Sequence, residues 1–117
     1  MRKFTFKKEE RLSGKKQIEE LFTKGSYFYL HPFKVIHLPS TSSLNKVLIS
    51  ASARHFKRAV DRNKIKRRIR EAYRLNKHNF SCEKNWLIAY IYTPKEILDY
   101  KIINEKMILA IKKLNEL

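Results

Sequence analysis

The chain has one cysteine, Cys82, in 117 residues, so it cannot form a disulfide framework and is consistent with a reducing compartment. It also has only two glycines and three prolines and no repeat or low-complexity tract, which argues against a disordered basic tail. Long apolar runs are missing as well. The longest, Trp86 to Tyr92 and Met107 to Ile111, fall far short of a bilayer span, and no short apolar region with a small-residue cleavage site follows Met1. The expected location is therefore cytoplasmic. The four histidines, His31, His37, His55 and His78, are scattered with no second histidine at i+3 or i+4, so the spacing of a metal site is absent. There is no Gly-rich phosphate loop, and Cys82 reads as a small buried or loop residue.

Acids are scarce too: 11 Asp and Glu stand against 27 Lys and Arg, a formal net charge of +16. Half of that excess lies in one stretch, Arg54 to Arg74, where ten of 21 residues are basic and only Asp61 and Glu71 are acidic. Such a density is the footprint of a polyanion partner. The hydrophobic content of 43% fits one compact domain over residues 1–117 that buries ~65% of its unfolded surface. The charge thus sits on a folded scaffold.

Met1 to Arg11 carries five bases, two acids and two phenylalanines at period two, and reads as a basic extended arm lying across a sheet. Ser13 is placed to cap a first helix with Ile18, Leu21 and Phe22 on one face, closed by Gly25 in a left-handed conformation. Ser26 to Ser40 is aromatic and β-branched, is interrupted at His31-Pro32, and resumes as a strand from Phe33 to Leu38. Pro39 to Asn45 has turn chemistry, so Lys46 to Ser52 is expected to return as a hairpin partner. In that partner Val47, Ile49 and Ala51 share one face, and Leu48, Ser50 and Ser52 the other.

A helix from about Lys57 to Asn76 follows, with Ile65, Ile69, Ala72 and Tyr73 as its apolar stripe, fraying between Asn76 and Phe80. Trp86 to Tyr92 reads as a buried strand ended by Thr93-Pro94. From Asp99 a last helix places Ile103, Met107, Ala110, Ile111, Leu114 and Leu117 on one side and Lys106, Lys112 and Lys113 toward solvent. The order α, β, β, α, β, α defines an α+β sandwich with helices on a small mixed sheet.

On a wheel of 100° per residue, Arg62, Lys66 and Arg70 form a row beside the apolar stripe, ~6 Å apart along the axis. Asn63, Lys64, Arg67, Arg68 and Arg74 project further round, offering a second binding face. A merely solvated face would mix signs at i, i+4, whereas Lys64/Arg68, Arg62/Lys66, Lys66/Arg70 and Arg70/Arg74 are like-charged pairs that cost an isolated helix ~0.2–0.5 kcal/mol each. Neither flanking strand supplies a helix-turn-helix partner, which disfavours duplex DNA. Phe22, Phe33, Tyr27 and Tyr29 beside Ser50 and Ser52 suit an extended single strand with unstacked bases, although Phe22 and Phe33 can equally be core residues. Asp61 could approach a hydrated magnesium ion on RNA phosphates, but its place at a helix N-terminus already has a structural reason in the macrodipole. A ribosomal or ribosome-assembly protein that binds rRNA is the other reading of the same charge and fold.

The pattern Arg62-Asn63-x-x-Lys66-Arg67-x-x-Arg70-Glu71-x-x-Arg74, preceded by Arg58-Ala59 and the Ser50-x-Ser52 strand, resembles the signature of the protein subunit of bacterial ribonuclease P. Arg11-Leu12, Phe22, Gly25, the Trp86 to Tyr92 segment and the terminal helix fall in that family's order, so the resemblance covers essentially the whole chain. It implies a basic, non-catalytic subunit that joins a catalytic RNA to remove the 5′ leader from precursor tRNA, with magnesium ions bound by the RNA and none held tightly by the protein. It also implies a ribosomal-protein-like fold with a left-handed βαβ crossover, against the usual hand. By the same resemblance, Phe22, Phe33, Ile36, Ser50, Ser52, Arg62, Lys66 and Arg70 contact the leader, and Arg58, Asn63, Lys64, Arg67, Arg68 and Arg74 contact the RNA subunit. No membrane or small-molecule partner is implied. Ile18 stands where the family often has an aromatic, Lys64 replaces a frequent arginine, and Ala53 replaces a lysine, so stacking at Ile18 and a phosphate contact at Ala53 are not carried over.

Overall fold

The most apolar strand, Asn85–Tyr92, is buried along nearly its whole length and on both faces, and it organises the rest. The computed structural model describes residues 8–40, 44–80 and 84–117. In chain order they form α1 (Lys15–Lys24), β1 (Ser26–Leu30), β2 (Phe33–Ser40), β3 (Lys46–Ala51), α2 (Ala59–Asn76), β4 (Asn85–Tyr92) and α3 (Tyr100–Asn115), with 3-10 turns at Lys8–Glu10 and Lys77–Asn79. The sheet runs β1-β2-β4-β3. It is mixed: β1 pairs antiparallel with β2 and β2 with β4, while β3 lies parallel to β4. A parallel neighbour requires a crossover, and α2 supplies it.

This order corrects the expected hairpin of Phe33 to Leu38 with Lys46 to Ser52. A strand apolar on both faces, such as β4, needs a neighbour on each side and a layer on each face, so β4 inserts between β2 and β3. Asn45 secures the connection that spans it, its Oδ1 accepting the Trp86 N–H at 2.7 Å. The hairpin that does form joins β1 to β2 through His31-Pro32, so the order gains a strand at Ser26–Leu30. Thr93 clips this turn to the end of β4, its N–H and hydroxyl both donating to the Pro32 carbonyl at 3.0 and 3.1 Å.

The sheet is covered on both faces. On one, α2 and α3 pack Ile65, Ile69, Ala72, Tyr73, Ile103, Met107, Ala110, Ile111 and Leu114 against Phe33, Val35, Val47, Ile88, Tyr90 and Tyr92. Each large side chain buried there contributes ~1.5–3 kcal/mol. On the other, α1 sets Leu21 and Ile18 over Ile36, Leu87 and Ala89, with Leu12 beside them. The faces of β3 divide as expected, Val47 and Ala51 facing α2 and α3 and Leu48 facing α1. The described part of the N-terminal arm runs along the outer edge of β3. Arg11 bridges to Val47, the Leu12 N–H donates to the Val47 carbonyl at 2.9 Å, and Glu10 forms a half-buried ion pair with Lys77 at 2.7 Å.

Four local expectations are corrected. Gly14, not Ser13, occupies the α1 N-cap, with no side-chain capping bond. The stretch after Asn76 does not fray. It tightens into a 3-10 turn, Phe80 folds back onto Tyr73 with centroids 6.2 Å apart, and Asn76 donates to Ala72 O and Asn104 Oδ1 at 2.8 and 2.7 Å, tying α2 to α3. Leu117 lies past the end of α3 and is exposed. Cys82 lies outside the described residues. Gly25 is extended, at φ −71° and ψ 153°, so a left-handed turn is not what requires glycine. The reason is space: a Cβ there would run into the Leu21 carbonyl oxygen and come within 3.1 Å of the His37 carbonyl and the Ile36 side chain. Two of these neighbours are backbone and cannot swing away. Gly25→Ala is accordingly expected to destabilise the fold by about 1–3 kcal/mol, read as a lower midpoint in urea unfolding.

Candidate nucleic-acid interface

The α1 side of the sheet is only partly roofed. Strand register aligns Tyr27 of β1, Ile36 of β2, Ala89 of β4 and Leu48 of β3 in one row, and Tyr29, Lys34, Ile91 and Ser50 in the next on the same face. Ile36 and Ala89 are buried under α1, whereas Lys34, Ile91 and Ser50 are half-buried and Tyr29 is exposed. The second row is therefore an open strip crossing all four strands, about 14 Å from Tyr29 to Ser50 at ~4.8 Å per strand. Ser52 continues it just past β3, its hydroxyl accepting the Arg54 N–H at 3.1 Å.

Beyond the β3 edge, α2 continues the strip with charge. Its buried stripe (Ile65, Ile69, Ala72 and Tyr73) faces the sheet as its period predicts, which leaves Arg62, Lys66 and Arg70 beside β3. Arg70 lines a hollow of about 160 Å³ with Arg11, Leu12, Val47, Leu48 and Ile49. At the other end of the row, the Arg62 guanidinium donates to the Phe56 and Lys57 carbonyls at 2.6 and 3.1 Å, fastening the loop that enters the helix. Lys66 comes between them, one helical turn from each. The row is thus one anchored arginine, Arg62, with Lys66 and Arg70 beyond it, along one side of an open, partly apolar floor. Asp61 is the acid of the first α2 turn, as the helix dipole favours.

The other expected RNA contacts, on α2 and at its N-cap, separate into two kinds. Arg58, Asn63, Lys64 and Arg67 are exposed. Arg68 lies on the α3 side and donates to the Leu98 carbonyl at 2.6 Å, so it serves the fold and does not project freely. Arg74 pairs with Glu71, and that hydrogen bond holds the Glu71 carboxyl below the ordinary carboxylate range. Glu71 thus neutralises Arg74, and the Leu98 carbonyl holds Arg68 in place without removing its charge.

Two expected leader contacts do not reach the open strip. Phe33 is fully buried on the opposite face, against Tyr90 with centroids 5.6 Å apart. Ile36 is on the correct face but lies under α1, where it packs with Leu21. Phe22, Ser50, Ser52, Arg62, Lys66 and Arg70 all retain some exposure. Two further residues lie on this surface: Lys34 is in the middle of the open row, and Arg11 shares the hollow with Arg70. Strand alternation could have found Lys34, since it shares a face with Ile36 whereas Phe33 cannot. Arg11 carries no such sequence signal.

An open strip with aromatic and hydroxyl groups, bordered by a cationic helix, is the surface of a small α+β protein of the RNA-binding class. The ribonuclease P family model matches residues 6–115. The chain is 34% identical over 117 residues to the ribonuclease P protein component of Petrotoga mobilis, covering 94% of this chain and 95% of that one. It is 32% identical over 112 residues to that of Porphyromonas gingivalis, covering 89% and 82%. Among solved structures, the RNase P protein from Thermotoga maritima superposes with a TM-score of 0.77 at 26% identity, over 89% of this chain and 96% of that one. The chain belongs to the ribonuclease P protein family, whose members are components of the ribonucleoprotein that processes tRNA 5′ ends, and it works with an RNA partner.

The two structural bonds of Arg62 separate it from its neighbours in the row. Arg62→Ala is expected to lower unfolding stability by about 1 kcal/mol, since hydrogen bonds to charged groups are worth ~1.5–3 kcal/mol when buried and less when half-exposed. Lys66→Ala should leave stability within ~0.5 kcal/mol of the unaltered chain. Equal thermal shifts for the two variants would contradict the anchoring role of Arg62.

Proposed function

We propose that the chain binds the single-stranded 5′ leader of precursor tRNA along the open strip and the Arg62-Lys66-Arg70 row, and docks on the catalytic RNA subunit through the outward polar residues Arg58, Asn63, Lys64 and Arg67. The observation that carries this reading is the continuity of the strip with the cationic row. Stacking surface and hydroxyls cross the strands, and the phosphate-spaced cations border that strip along its β3 edge, within reach of a single strand that turns there. Arginine suits both borders because its planar fork pairs with phosphate bidentately and stacks on bases. Phe22, near the end of α1, offers an exposed ring on the same side of the sheet. Arg68 and Arg74, committed to Leu98 and Glu71, give these contacts their frame.

Hydrolysis in this reading is the work of the RNA subunit and the magnesium ions on its phosphates. Among the described residues no three His, Cys, Asp or Glu side chains gather into a metal site. The protein's contribution is electrostatic and positional. Neutralising phosphates lets two polyanions approach, and holding the leader keeps the scissile bond in register.

Reconstitution with the cognate RNA subunit tests the proposal. The protein alone should cleave nothing. Added to the RNA, it should lower the magnesium concentration needed for leader removal and strengthen binding of precursor over mature tRNA. Equal affinity for the two would refute the leader assignment, and co-purification with ribosomal subunits without any effect on leader removal would favour an rRNA-binding role. A charge series adds a second measurement: Lys66→Ala and Arg70→Ala should each flatten the salt dependence of precursor binding by ~0.7 in log–log slope, one single-strand phosphate contact apiece. An unchanged slope in both would remove the row from the leader path.

A further inference from the structure

The open strip does not end at Lys34. On the edge strand β1, Tyr27 and Tyr29 stand on the same face, two residues apart, and rank with Phe22 among the most exposed large side chains of the described chain, at 57% and 64%. Alternate positions of this strand turn inward, Phe28 and Leu30 packing against the α2 and α3 core. The two rings meet edge to face, with centroids 5.5 Å apart and planes at 82°. Lys34 Nζ lies 4.6 Å from the centre of the Tyr27 ring and 5.7 Å from that of Tyr29. No carboxylate among the described residues pairs with Lys34. It is thus a cation whose neighbours are two aromatic rings, in the same cross-sheet row as Ile91 and Ser50.

An exposed edge strand ordinarily carries polar or charged side chains that keep its surface hydrated. Two large, nearly unpacked tyrosines are a poor solution to that problem, since they leave apolar ring area in water without contributing to the core. Two rings at the end of a hydrated strip, with an ammonium beside them, form instead a platform that offers π-faces to bases and a charge to the phosphate between them. The platform joins the leader surface without a break, because Tyr29 and Lys34 are strand partners and Lys34 pairs with Ile91 in β4.

We propose that Tyr27, Tyr29 and Lys34 form a second nucleotide subsite, which stacks one or two leader bases at the end of the path remote from α2 and so sets how long a leader the protein reads. The proposal rests on the leader-binding reading above. It is not a base-specific site, because every base has a π-face and the platform presents no rigid donor–acceptor pattern. It adds affinity only for leaders long enough to cross all four strands.

The test uses the reconstituted ribonucleoprotein and precursor tRNAs whose leaders lengthen one nucleotide at a time, with 2-aminopurine placed at successive leader positions. With the unaltered protein, affinity should rise with leader length and then level off, and the last positions to add affinity should show quenched fluorescence. The Tyr27→Ala/Tyr29→Ala pair should lose roughly tenfold in affinity for long leaders, lose the quenching at those positions, and bind short-leader and leaderless tRNA as before. Tyr27→Phe/Tyr29→Phe should keep the gain. The subsite is overturned if the alanine pair retains the full gain with leader length, or if the phenylalanine pair loses as much as the alanine pair, which would point to hydroxyl bonding. An equal loss for leaderless tRNA would also overturn it, by placing the rings against the tRNA body or the RNA subunit. Absence of any leader-length dependence in the unaltered particle is a different result, since it removes the leader-binding reading itself.

Discussion

Everything in this molecule depends on burying one strand on both faces. Asn85–Tyr92 has no polar side to offer water, so the chain must supply neighbours at both of its edges and layers above and below it. Meeting that demand with only 117 residues leaves little chain for decoration. The strand takes β2 on one side and β3 on the other, α2 and α3 seal one face, and the short α1 is left to roof the other. Ten residues of helix cannot cover a four-stranded sheet. The open strip is the area that remains, and the surface proposed for RNA is thus a by-product of how the core is closed.

The same economy explains where the charge lies. The helix that crosses from β3 to β4 must pack its apolar stripe on the sheet, and the stripe is narrow. Residues on its flank therefore emerge beside the edge strand, next to the uncovered floor. Arg62, Lys66 and Arg70 owe their position to a period of 3.6, and the cost of placing them together falls once phosphate is present. Arg68 and Arg74, further round the helix, are held within the protein by a carbonyl and a carboxylate.

How much was legible from the sequence follows from the range of each interaction. The α2 stripe, the β3 faces and the core side of α3 were readable because they rest on periods within single elements. The sheet order was not, since nothing local to Phe33 to Leu38 or Lys46 to Ser52 reveals that a strand forty residues later comes between them. Phe33 and Ile36 illustrate a more avoidable error, because residues three apart in one strand point to opposite faces and could never have shared a cleft. The bonds of Arg62 to Phe56 and Lys57, and of Arg68 to Leu98, depend on loop paths that composition does not encode. Gly25 was recognised as necessary, but for a torsion angle and not for the closeness of the Leu21 and His37 carbonyls.

Because the strip crosses the strands at right angles, each strand contributes a single residue to it: Tyr29, Lys34, Ile91 and Ser50. Strand pairing is consequently the reading frame of the interface. A slip of one residue in β2 would replace Lys34 by Phe33 or Val35 and present an apolar side chain to the RNA, and a slip in β3 would exchange Ser50 for Ile49 or Ala51. The hydrophobic core prevents such slips, since the same shift would turn Phe33, Val35 or Val47 out into water. The buried core residues thus proofread the order of those proposed to meet RNA.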